Sequence, residues 1–127
     1  DASEELDKLK LLFAAAKMCR VAIVAHNART HVRQLLDTRA AHRARLMADI
    51  SDPTPLIDES SVLCTMQRSA EFCNLHDQLG RRKMPSRLEL FGKLHPDRAV
   101  PGPLNNALTD ARMTMLSYIA GRENGIW

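Results

Sequence analysis

Val21-Ala22-Ile23-Val24-Ala25-His26-Asn27-Ala28 is the stretch on which the fold turns. Its first five residues are apolar without alternation, and Val21, Ile23 and Val24 are β-branched. A run of that length, apolar on both faces and lying between helical patterns, reads as a short buried strand. His26-Asn27-Ala28 then leaves the strand.

Working outward, Ser3-Glu4-Glu5-Leu6 opens a helix upstream, with Ser3 as cap and two carboxylates at the positive end of the helix dipole. Leu6, Leu9, Phe13 and Ala16 follow at helical spacing, and the helix is expected to end near Cys19. Downstream, Asn27 or Thr30 caps a second helix carrying Val32, Leu35, Leu36, Leu46 and Met47, decorated by Arg29, Arg33, Arg39, Arg43 and Arg45. Ser51-Asp52-Pro53-Thr54-Pro55 breaks the chain, since each proline turns the residue before it away from helix. Ser61–Met66 reads as a second strand. A helix through Ala70, Phe72, Cys73 and Leu75 follows and is expected to stop at Gly80.

Pro85-Ser86 opens a short helix with Leu88, Leu90, Phe91 and Leu94, closed by His95-Pro96. After the rigid turn Pro101-Gly102-Pro103, a last helix is expected from about Leu104 to Ala120, ended by Gly121. Leu104, Leu108, Ala111, Met115 and Ile119 would form its apolar stripe. The tail Gly125-Ile126-Trp127 is expected to dock on this domain or on a partner. Strands alternating with helices predict one helix-rich α/β domain over residues 1–127, with two short parallel strands and a loop boundary near 51–60. Two strands are too few to stand as an independent sheet. The alternative is an all-α helical interaction subunit.

Composition agrees with a folded, helical chain. Of 127 residues 45% are hydrophobic and only 4% aromatic, which argues against disorder and favours helix over strand. The net charge of +3 permits nucleic-acid contact without requiring it. Cys19, Cys64 and Cys73 lie in apolar stretches with no zinc-type spacing. They are expected to be buried free thiols in an intracellular reducing compartment. No run reaches the length of a membrane span. The chain does not begin with Met, which predicts either a processed product or a trimmed chain.

Four phrases in order carry a further signal: Val24-Ala25-His26-Asn27-Ala28, Cys64-Thr65-Met66, the leucine-bearing Ser86–Leu94, and Asn105-Asn106-Ala107-Leu108-Thr109-Asp110-Ala111-Arg112. Together they resemble the C-terminal half of a DEDD-type 3′–5′ exonuclease, a nuclease built on an RNase H-like sheet. The resemblance implies a partial RNase H-like fold. In that family four acidic groups hold two divalent cations around the scissile phosphate.

The resemblance carries few of those roles over. The first Asp-x-Glu strand has no counterpart, because Asp1–Glu5 opens a helix. Thr30-His31 stands where the second motif ends in Phe-Asp, so a carboxylate is replaced by an imidazole. Asn105 stands where the last motif has its general-base His, and an amide cannot take a proton near neutral pH. Asp110 alone keeps a catalytic residue type. If the chain were active, Asp110 would bind Mg²⁺ or Mn²⁺, and His26, Asn27, His31 and Asn105 would line the substrate. One carboxylate cannot build a two-metal site. The expectation is therefore a degenerate, non-catalytic domain without a cofactor, acting as a structural or nucleic-acid-contacting subunit of a larger assembly. The alternative is one part of a split or processed nuclease. Arg39, Arg43, Arg81, Arg82 and Lys83 are the candidate contacts to RNA or DNA. The missing strands call for another protein chain to cover the exposed sheet face.

Overall fold

The computed structural model describes residues 2–45 and 56–127, except the side chains of Ala2 and Ser3. The expected cap Ser3, the helical residues Leu46 and Met47, and the break at 51–55 lie outside this description. The order is α1 (Ala2–Met18), β1 (Ile23–Ala25), α2 (Ala28–Arg45), a 3₁₀ turn (Glu59–Ser61), β2 (Val62–Cys64), α3 (Thr65–Arg68), α4 (Ala70–Cys73), α5 (Arg87–Leu94) and α6 (Ala107–Glu123). The fold is helix-rich α/β, with β1 and β2 forming a two-stranded parallel sheet. Among the described residues no helix is long and apolar enough to cross a membrane. The structure buries Cys64 and Cys73 as expected and leaves Cys19 exposed, against expectation.

Two compact units result. The first holds the described residues up to Ile23 and from Ala28 to Leu63; the second holds Val24–Asn27 and Cys64–Trp127. In the first, α1 packs on α2. Leu6, Leu9, Phe13 and Ala16 form the half-buried side of α1 as their spacing predicts, while Leu11, Leu12 and Met18 are exposed. Helix α1 ends in a Schellman turn: Val21 N–H reaches the Ala16 carbonyl and Arg20 takes φ 53°. Strand β1 is shorter and more open than a buried strand, for Val21 is exposed and Ile23–Ala25 are half-buried.

The core of the second unit is built where α5 packs along α6. Leu90 and Phe91 are each 1% exposed. Helix α5 starts as expected, with a full capping box between Ser86 and Glu89, and His95 caps its end. Three expectations are corrected. The segment after β2 is two short helices rather than one long one. Helix α4 closes at Asn74, which takes φ 47°, so Gly80 lies in a turn beyond. Helix α6 begins at Ala107, capped by Asn106, whose side chain accepts from the Leu108 and Thr109 amides.

The third correction concerns how α6 ends. Gly121 does not stop the helix. Gly125 does, with φ 68° and Ile126 N–H bonded to the Gly121 carbonyl at 2.8 Å, the geometry of a second Schellman turn. The turn folds the tail back, so Trp127 lies over Gly121 and stacks on Tyr118 with ring planes 8° apart. Its indole N–H donates to the Tyr118 carbonyl at 3.0 Å. A Cβ at residue 121 would overlap the indole, so the glycine is the notch that the tail needs. Gly121→Ala is expected to expel Trp127 at a cost of about 1–3 kcal/mol. The check is the emission of this lone tryptophan, which shifts to the red as the ring reaches water.

Candidate functional site

His26 sits where β1 ends, and only 6% of it is exposed. Its Nε2 lies 3.1 Å from the Pro85 carbonyl, and its Nδ1 lies 3.1 Å from Thr65 Oγ1. A carbonyl can only accept, so Nε2 carries a proton and donates to Pro85; Nδ1 shares the second hydrogen bond with the Thr65 hydroxyl, accepting from it when the ring is neutral. Thr65 opens α3 just beyond β2 and is fully buried; Pro85 precedes the cap of α5. One imidazole thus ties the ends of both strands to the entry of α5. Two of the four phrases meet here, Val24–Ala28 and Cys64–Met66.

Asn27 and Asn105, expected to line a substrate, share another property. Both adopt left-handed backbone, at φ 61° and 57°. Asparagine tolerates that conformation better than other branched or bulky residues. Each stands at the entry to a helix, Asn27 just before α2 and Asn105 just before the cap of α6. Their residue type is explained by the turn.

Asp110 lies in the first turn of α6. Its Oδ2 is 2.9 Å from Arg87 Nη1, and both side chains are about two-thirds covered or more. Arg87 Nε also donates to Thr114 Oγ1 at 3.2 Å, and that hydroxyl donates to the Asp110 carbonyl at 3.0 Å. The carboxylate joins α5 to α6. Among the described residues no group of three or more His, Cys, Asp or Glu side chains is placed to hold a metal ion. The cation pair implied by the resemblance does not fit a lone carboxylate already bonded to a guanidinium.

The arginine and lysine candidates also have partners. Arg81 Nε meets Asp77 Oδ2 at 2.8 Å, Arg82 faces Glu71 at 4.0 Å, and Lys83 meets Glu89 at 2.6 Å. Three cations face three carboxylates, so this cluster has no local excess of positive charge for phosphate. The Arg81 amide bonded to Asp77 holds that carboxyl below its ordinary range. The Lys83 ammonium, then the Ser86 amide, hold Glu89 at about 2. Arg39 and Arg43 line a cavity of about 160 Å³ beside Leu6, Asp7, Lys10 and His42, and each makes a further interaction. His31 is exposed on α2. It belongs to the first unit with Arg39 and Arg43, whereas His26, Asn27, Asn105 and Asp110 belong to the second.

Sequence reasoning missed Thr65, Pro85, Arg87 and Thr114 as partners. Thr65 lies within Cys64-Thr65-Met66, but nothing local links it to a histidine 39 residues away. Arg87 gave no signal beyond following a cap. Neither a family model, nor a curated protein, nor a solved structure matches the chain.

Arg87→Ala strands a partly covered carboxylate and is expected to lower unfolding free energy by about 1–2 kcal/mol, measured by denaturant titration. The Lys83–Glu89–Ser86 group predicts an acid-sensitive step. Glu89 is depressed in the folded state, so its contribution is complete above pH 4.5 and is lost as pH falls from 4.5 toward 2. Glu89→Gln should flatten the fall of the thermal midpoint across that window.

Proposed function

We propose that this chain is a degenerate exonuclease-like domain, an RNase H-like scaffold without catalysis of its own, serving as a structural subunit of a larger protein assembly. The observation that carries this reading is the bond from Arg87 to Asp110. The one side chain that keeps a catalytic type is spent on packing α5 against α6.

Other features support the scaffold half of the reading. The parallel order β1–β2 with α2 between them suits the later strands of such a sheet. His26 and Thr65 belong to separate phrases of the resemblance, and they form a buried hydrogen bond. Asn27 and Asn105 retain turn-forming types where the proton and metal chemistry is lost. The subunit half is supported by how little the sheet covers. A two-stranded sheet has an outer edge on each strand, and such edges are normally paired or shielded. The charge-balanced Arg81–Lys83 cluster favours a protein partner over RNA or DNA.

The test is a nuclease assay on labelled single- and double-stranded RNA and DNA with Mg²⁺ or Mn²⁺. The wild type and Asp110→Asn should leave substrates equally intact. Metal-dependent trimming from 3′ ends that disappears in Asp110→Asn would overturn the reading.

A further inference from the structure

The apolar side of α6 faces outward. Its buried side carries Thr109, Met113, Thr114, Ser117, Ala120 and Gly121. The outer side carries Leu108, Ala111, Arg112, Met115, Ile119 and Arg122, all exposed, with Leu108 at 58%, Met115 at 52% and Ile119 at 46%. At 3.6 residues per turn these six positions fall on one face, about 21 Å long from 108 to 122. Large apolar side chains repeated along one exposed helix face mark an interaction surface.

From this we infer that the outer face of α6 docks an amphipathic helix whose apolar ridge is flanked by carboxylates. The inference rests on the reading of the chain as an assembly subunit and names the chemistry of its partner. The apolar ridge at spacings of three and four suits the grooves of a second helix. The charges choose its flanks. Arg112 has no carboxylate partner among the described residues, and Arg122 reaches the Tyr118 hydroxyl at 3.3 Å. Along this face of α6 itself the one acidic residue is Glu123, at its rim. A second copy would bring two more guanidiniums and one more carboxylate to this face, so self-pairing leaves the arginines in excess. An acidic helix neutralises them.

The probe is a fluorescent, roughly 20-residue leucine-ridged helical peptide with glutamate flanks, compared with its lysine-flanked counterpart by anisotropy. The glutamate peptide should bind at least about tenfold more tightly than the lysine peptide. Met115→Asp with Ile119→Asp should abolish binding while circular dichroism and thermal midpoint stay near wild type. Arg112→Glu with Arg122→Glu should reverse the preference, which nonspecific stickiness cannot do. Equal binding of both peptides, no reversal, or self-association removed by the Met115/Ile119 pair would overturn the inference. Failure of the non-catalytic reading is separate, since it appears as metal-dependent nuclease activity and leaves the peptide result standing.

Discussion

The second unit depends on the fork that His26 makes between Thr65 and the Pro85 carbonyl. Two strands of three residues bury too little surface to hold themselves. Buried polar atoms left unpaired cost about 1–3 kcal/mol each, so both ring nitrogens must find partners once the imidazole is covered. Satisfying them fixes three backbone positions together: the exit of β1, the start of α3 and the approach to α5. Asn27 contributes by taking the left-handed turn that lets Ala28 begin α2 at once. The strand-end phrase is therefore explained by geometry alone, with no chemistry required of it.

Asp110 and Arg87 extend the same logic to the other end of the unit. A carboxylate in the first turn of a helix already has a favourable place, because the amide dipoles there point their positive end at it. The guanidinium adds charge-assisted bonds to the carboxylate and to Thr114, whose hydroxyl returns to the Asp110 carbonyl. A cation at that aspartate would meet a carboxylate whose charge the guanidinium already balances.

What the sequence disclosed depended on whether the deciding interaction was local. The strand Ile23–Ala25, the helix start at Pro85-Ser86 and the stripe Leu6–Leu9–Phe13–Ala16 were legible, because each is written in consecutive or helically spaced residues. Asn27 and Asn105 were legible as positions, but the left-handed turns they make were not, since such a turn leaves no periodic trace. The pairings His26–Thr65 and Arg87–Asp110 span 39 and 23 positions and were invisible for that reason. Helix α6 was legible as a helix and inverted in orientation, because a stripe says which residues share a face and not what that face meets. Gly121 misled in the same way. A glycine at the end of a helical pattern predicts a stop, whereas its role comes from Trp127 six residues on.

That inversion has a physical cause in how α5 and α6 meet. Small residues on the inner side of α6, among them Ser117 and Ala120, are buried, and small residues allow close approach. Thr114 on α6 bonds the Asp110 carbonyl, and His95 at the end of α5 reaches the Leu116 carbonyl of α6 through Nε2 at 3.3 Å. Ser117 Oγ has no hydrogen-bond partner among the described residues. Placing Leu108, Met115 and Ile119 inward instead would push α5 away and break the bond between Arg87 and Asp110. The tight inner contact and the apolar outer face are therefore one constraint. A helix that spends its small side on its neighbour must leave its large side for something else to cover.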